Sequence, residues 1–537
     1  MLTVDRSVVP GRVLRKGKTG AFRSLVEGEG EPHSVRTDLT GPPGKDVGRH
    51  VRSLLTIAHL SDLHVTDVES PARFEFLNQF AGDPRFRELL TMQRPQESLN
   101  SHAINAMVQA VNGIEQAPVG GKPVQLVVMT GDAIDNAQMN ELANFMALFD
   151  GGIVTPSSGG PDSESAQSAA WPNDQAWKPD GGDRFGREHG FPQLPGLLER
   201  ASRSFPGHGL TMPWIGCYGN HEELCQGVGL VTPEVAAAMV GWRKPIAVPS
   251  GLDANTAVDV FTRTPEAFMT GTIRSVTPDP ARLPARLAGF LEAHLRSGSR
   301  PTGHGFAPAN RHEGTAGYVY DTTPVRLVCL DTVCRDGGAD GRIDAAQLAW
   351  LEERLIEVHS SYTDADGNTA RTSNDDRLVV LMSHHPLMTL NNSRAKDAVD
   401  PRQLLLLLHR FGNVVLWLNG HVHMNMVQRH PNREGVNVGF WEVTTSSLVD
   451  WPCQGRVVEI LDAGYGRIGI ACTMLDHDGP LEPGEAAAPL ELAGLHRLLA
   501  ANDPLAGAGS TRAGTPADRN VILALPAPFP LRHLHRE

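Results

Sequence analysis

Five short apolar runs punctuate the chain, each lacking a helical period and each ending near a turn residue. They are Leu54–Leu60, Leu126–Thr130, Pro213–Tyr218, Leu378–Ser383 and Val414–Leu418. Runs of this length with so few polar interruptions predict strands buried on both faces. A helix is predicted over about Ser98 to Glu115, and another after a strand exit within Asp340–Leu355, with Leu348, Leu351 and Leu355 at helical spacing. Segments 437–447, 455–461 and 467–475 have strand character and are expected to complete a second sheet. One further helix is predicted over about Leu490 to Ala501.

Each of the five runs leads into a short polar motif. These are Asp62-x-His64, Gly131-Asp132, Gly219-Asn220-His221-Glu222, His384-His385-Pro386 and Gly420-His421-Val422-His423. In open α/β sheets, ligand sites lie beyond the carboxyl ends of the strands, where all five motifs sit. Asp62 and His64 are two apart, as are His421 and His423, so in an extended chain each pair points one way. Gly131, Gly219 and Gly420 are expected to turn the chain sharply, using backbone angles that other residues resist. Carboxylate, imidazole and amide oxygen are the donors that borderline-hard divalent cations take.

With these motifs in this order, the chain resembles the calcineurin-like metallophosphoesterase superfamily, whose blocks are D-x-H, GD, GNH[DE], H-x-P and GHxH. The resemblance covers roughly Thr56 to Leu475. Gly439–Arg456 and Asp344–Leu355 resemble the branch that contains class III cyclic nucleotide phosphodiesterases and related bacterial enzymes. The fold this implies is α/β: a four-layer α-β-β-α sandwich of two mixed sheets, carrying long loop insertions. The resemblance also implies a site with two divalent metal ions, for which Mn, Fe and Zn all suit the ligands. Asp62, His64 and His423 would hold one ion, Asn220, His384 and His421 the other, and Asp132 would bridge them. A bridging carboxylate offsets repulsion between dications about 3.5–4 Å apart, and a hydroxide between them would be the nucleophile. His221 would protonate the leaving oxygen. Asp135, three residues after Asp132, occupies the place of an acid that orients this His, so an Asp135–His221 pair is expected.

Departures from the pattern narrow the reading. Protein Ser/Thr phosphatases resemble GDxxDR, with Arg gripping phosphate, and here Asn136 stands in place of that Arg. Purple acid phosphatases carry a metal-bound Tyr at the position of Asp135. His385 is expected beside the ligands and not among them.

Composition changes the picture in three ways. The 537 residues are 40% hydrophobic, enough for a sizeable core, and the ligands from Asp62 to His423 must belong to one large domain. The net charge of −13 disfavours extended nucleic acid, while a small phosphate ester stays compatible because metals would supply local positive charge. The six cysteines show no framework spacing and read as buried thiols. No stretch resembles a secretory signal or reaches the roughly 20 apolar residues of a membrane span, so a cytoplasmic protein is expected.

The chain divides into a leader (1–53, with Pro42-Pro43), a catalytic domain (54–475) and a C-terminal tail (476–537). Insertions lie near 151–210 and 230–314, and a shorter one runs from Glu69 to Arg94. The 151–210 insertion is anchored between Asp132 and Asn220 and is a candidate lid. The function expected is hydrolysis of a phosphate mono- or diester. A noncatalytic metal-supported binding protein, a nuclease and a protein phosphatase of the same fold remain open.

Overall fold

The computed structural model describes residues 1–40, 51–160, 162–432 and 438–531. Pro42-Pro43, residue 437 of the expected strand 437–447, and the last six residues of the tail lie outside that range. The five apolar runs form strands at Arg52–Leu60, Leu126–Met129, Trp214–Gly216, Leu378–Met382 and Val414–Asn419.

Two mixed sheets carry them. The seven-stranded sheet runs Ser34–Arg36, Val521–Pro526, Arg467–Asp476, Gln454–Gly464, Arg52–Leu60, Leu126–Met129, Trp214–Gly216. Its last three strands are parallel, while Gln454–Gly464 is antiparallel to its neighbours on both sides. The six-stranded sheet runs Tyr318–Asp321, Val325–Cys329, Leu378–Met382, Val414–Asn419, Gly439–Thr444, Met426–Pro431. The three expected late strands are therefore split: one joins the six-stranded sheet and two join the seven-stranded sheet. The latter sheet also takes strands from beyond residues 53 and 475.

Alternation along the central strands builds the layers. Val325, Leu327, Cys329, Leu378, Val380 and Met382 face a core shared with the seven-stranded sheet. The intervening Val328, Val379 and Leu381 pack on Leu351 and Leu355 of helix Ala345–Ile356 and on Leu404 and Leu408 of helix Pro401–His409. Ile104, Met107 and Val108 of helix Asn100–Asn112 and Leu142 and Phe145 of helix Met139–Asp150 pack with the seven-stranded sheet. The result is the four-layer sandwich.

The insertions make satellite cores. Trp177, Phe191 and Leu197 of the 151–210 segment pack with Phe22 and Leu25 of an N-terminal hairpin (Arg6–Lys16 with Ala21–Glu29) and with Leu495 and Leu499 of helix Pro489–Asn502. Phe74, Phe76, Phe86 and Leu89 pack with Val235, Met239, Phe261 and Phe268. The 69–94 insertion thus rests on the 230–314 insertion. Among the described residues, no helix is long and apolar enough to cross a membrane.

Candidate metal centre

The strand exits bend more sharply than an extended pleat. Asp62, His64, Asp132, His421 and His423 all take left-handed angles, with φ of 52°, 48°, 53°, 68° and 52°. Each such non-glycine residue costs about 1–3 kcal/mol unless its surroundings impose it, and clustering of this strain is a mark of functional sites. Asp62 and His64 do converge on one point, through these angles and not through an extended chain. Of the three glycines, Gly131 alone has a positive φ, at 89°. Gly219 and Gly420 serve close approach instead: an added Cβ would collide with the Asp132 carboxylate at Gly219, and with Ser61 and Asp62 at Gly420.

One group of donors is Asp62, His64 and His423, all buried. His64 Nδ1 lies 3.2 Å from Asp135 Oδ1, and His423 Nδ1 lies 2.7 Å from Asp450 Oδ2. Ionised carboxylates only accept, so each Nδ1 carries a proton and each Nε2 is the nitrogen left to face a ligand. Those two Nε2 atoms face each other at 3.1 Å, and His423 Nε2 is 3.3 Å from Asp62 Oδ1. Lone pairs and a carboxylate turned on one point repel unless a positive charge lies among them. Burial lowers the proton affinity of His423, but Asp62 and Asp450 more than reverse this.

The second group repeats the logic. His384 Nδ1 donates to the Thr130 carbonyl at 2.8 Å, which turns Nε2 toward Asp132 Oδ2 at 3.1 Å. Asn220 Nδ2 donates to the Gly227 carbonyl at 2.9 Å, leaving Oδ1 buried with no hydrogen-bond partner. Burial lowers the pKa of His384, yet the Asp132 and Asp62 carboxylates raise it to about 10. His421 packs beside His384 with ring centroids 5.1 Å apart, and its backbone N–H donates to Asp62 at 3.0 Å. Asp132 belongs to both neighbourhoods, grouping with Asp62 and His384 and with His64 and His221. This donor set fits two divalent ions: buried acceptors without donors are what coordination would fill. His385 also lies within reach of His384 and His421. Its ring nitrogens are already used, by Thr332 Oγ1 at 2.8 Å and the Ala339 carbonyl at 2.9 Å.

The expected Asp135–His221 pair takes another form. His221 Nδ1 donates to the Asp135 backbone carbonyl at 2.5 Å, whereas the Asp135 carboxylate stays 4.0 Å away. That carboxylate orients His64 and forms a close ion pair with the fully buried Arg73. Burial raises the pKa of Asp135, but Arg73 and then His64 and His221 outweigh it and hold the group far below the usual carboxylate range. Burial pushes His221 down to about 4, so its resting ring is neutral and Nε2 is its open atom.

Four contributors have roles that the five motifs do not reveal. Asp450 positions His423 and is held by Arg94 Nε at 2.7 Å. Arg73 anchors Asp135. Glu222 stands inside a recognised motif, yet its role is visible only here. Its carboxylate accepts the N–H groups of Asp132, Ala133, Ile134 and Gly219 at 2.7–3.2 Å, stapling two ligand loops together. Burial and then Asp132 push Glu222 up to about 8. Both its oxygens accept two N–H bonds each, however, an arrangement that only the ionised form fills. The fourth is Arg512, from the C-terminal segment.

These groups border a cleft of about 200 Å³ lined by His64, Asp132, Asp135, Asn220, His221, His421 and His423. Asp62 and His384 lie beneath it. The rim consists of residues 88–92, Arg94, Gln226, Val228, Ala339, Val422 and Arg512. None of these comes from 151–210, so the wall over the centre is the 69–94 insertion and not the expected lid.

No protein-family model matches the chain, and no curated protein matches it in sequence. Solved structures similar to it include a dimetal phosphatase from Danio rerio, 12% identical, covering 79% of this chain and 99% of that one, with a TM-score of 0.37. A purple acid phosphatase from yellow lupin (Lupinus luteus) seeds is 9% identical over 84% of this chain and 53% of that one, with a TM-score of 0.28. GAP50, the anchor in the inner membrane complex of Plasmodium, is 9% identical over 83% and 94%, with a TM-score of 0.26. Likenesses at this level carry no functional inference; the side chains of the cleft do.

Proposed function

We propose that the chain is a metal-dependent phosphoesterase acting on a small phosphate ester. Asp62, His64 and His423 hold one divalent ion, Asn220, His384 and His421 a second, and Asp132 is shared. The observation that carries this reading is the facing pair of Nε2 atoms of His64 and His423, 3.1 Å apart beside Asp62. The partnerless Asn220 Oδ1, with His384 Nε2 turned on the Asp132 carboxylate at 3.1 Å, extends it to a second ion. When bound, such an ion pair generates a nucleophile from water near neutral pH and neutralises charge on the phosphoryl oxygens. Carboxylate, imidazole and amide donors suit Mn, Fe or Zn.

The remaining steps fall to the chain itself. His221 is 19% exposed, with Nδ1–H fixed on the Asp135 carbonyl and Nε2 free. A phosphoryl group brought beside Nε2 adds negative charge, favours the protonated ring, and receives that proton on its leaving oxygen. Asp132 Oδ1 accepts the His221 backbone N–H at 2.9 Å, tying the proton donor to the shared ligand. Leu89, Leu90, Met92 and Val228 on the rim limit the entry of water. The net charge of −13 opposes long polyanionic substrates.

The test is hydrolysis of p-nitrophenyl phosphate and bis-p-nitrophenyl phosphate by metal-stripped protein refilled with Mn²⁺, Fe²⁺ or Zn²⁺. Metal-dependent turnover is expected, and the ratio of the two rates assigns monoester or diester preference. Protein that binds two ions yet cleaves neither these nor a wider panel of esters would support a binding protein instead.

A further inference from the structure

Among the described residues two arginines border the cleft, Arg94 and Arg512, and Arg512 comes from outside the motif-bearing region. Arg512 lies in the segment after helix Pro489–Asn502, 89 positions beyond His423. Its backbone is fixed: the Arg512 carbonyl accepts the Asn425 N–H at 2.9 Å, and Asp518 Oδ1 accepts the Val427 N–H at 3.0 Å. Asn425 is itself buried, and its Oδ1 accepts the Ser446 N–H at 3.0 Å and Arg456 Nη2 at 3.1 Å. The loop is thereby stitched to Asn425 and Val427, two and four positions after His423.

From this anchor the guanidinium reaches the cleft wall. Nη1 is 3.4 Å from the His423 carbonyl and 3.3 Å from Asp450 Oδ2. Nε and Nη2 make no hydrogen bond among the described residues, and the side chain is 26% exposed, with the cleft as its opening. Arg94, the other arginine there, is committed: it is 9% exposed, its Nε donates to Asp450 Oδ1 at 2.7 Å, and Glu97 lies 3.8 Å away. Asp450 thus faces two guanidiniums, and Arg94 makes the shorter contact with it.

We propose that Arg512 is the substrate-phosphate clamp of this site. A planar guanidinium with two free donor nitrogens matches two oxygens of a phosphoryl group. The inference rests on the phosphoesterase reading above.

The test uses the full metal-loaded chain and inorganic phosphate as the probe, by isothermal titration calorimetry, with bound metal counted in the same samples. Arg512→Gln should bind phosphate on the order of 10- to 100-fold more weakly, the range expected for a lost hydrogen bond to a charged group. It should keep both metals. Arg512→Lys preserves a cation beside Asp450 but loses the fork; it should keep both metals and bind phosphate at an intermediate strength. With an ester that is turned over, KM should rise in the same order. Unchanged phosphate affinity in Arg512→Gln would overturn the inference alone. So would a loss of metal with unchanged phosphate affinity per loaded site, which would make Arg512 a support for Asp450 and His423. Failure of the metal-loaded wild-type chain to bind phosphate at all would overturn both this inference and the reading beneath it.

Discussion

Replacing Glu222 by Gln isolates the staple that holds two ligand loops in register. The change preserves size and removes one carboxylate oxygen from a side chain that is wholly buried. Oε1 accepts from Ala133 and Ile134, and Oε2 from Asp132 and Gly219. Whichever way the amide turns, two backbone N–H groups lose their acceptor and face another donor. Each buried donor left unsatisfied costs about 1–3 kcal/mol, so the pair costs about 2–6 kcal/mol. The loss falls on the loops carrying Asp132 and Asn220, so metal binding weakens along with folding. Urea unfolding of metal-stripped protein, followed by tryptophan fluorescence, measures the first effect, and Mn²⁺ titration measures the second. A variant within about 1 kcal/mol of wild type, with the same Mn²⁺ affinity, would refute the staple, because even one unsatisfied donor costs that much.

Four further outcomes are expected. Asp132→Asn removes the shared ligand and should lose both ions and turnover together, read by metal analysis and ester hydrolysis. His221→Ala should keep two ions per chain and slow turnover by a factor on the order of 10²–10⁴; a variant that arrives without metal would show His221 to be a ligand instead. Asp450→Asn should weaken metal binding by about 10- to 100-fold, since the carboxylate that orients His423 is gone, and competition with a chelator measures it. All six cysteines are buried, so a thiol reagent should label none in the native protein and all six after denaturation. Fast labelling of Cys217 would contradict its packing 3.5 Å from Cys329 Sγ.

The strands and the donors beyond them were legible because both signals are local. An apolar run such as Leu378–Met382 is buried along its whole length, and His384 follows it after Ser383. The left-handed turns at Asp62 and His64 were not legible, because Asp and His, though enriched at positive φ, adopt it in a small minority of cases, and the extended spacing offered an equally good rationale for their convergence. Asp450 and Arg512 were missed for another reason. Each acts through a contact distant in sequence, 27 positions from His423 to Asp450 and 89 to Arg512, and neither lies in one of the five ligand motifs. Strand Ser34–Arg36 pairs with Val521–Pro526 across nearly the whole chain, so a division at residues 53 and 475 had no local mark to correct it. Likewise, the 151–210 insertion looked like a lid because it is anchored between Asp132 and Asn220, whereas Phe74 fixes the 69–94 insertion by the cleft through contacts with Phe261 and Phe268.

The most direct test of the central claim is a calorimetric titration of Mn²⁺ into metal-stripped protein, with ester hydrolysis followed at each addition. Binding should saturate at two equivalents in the wild type, with turnover rising as the second is filled, and Asp132→Asn should abolish both. Saturation at one equivalent or none, or turnover that persists in the stripped protein, would contradict the two-ion centre.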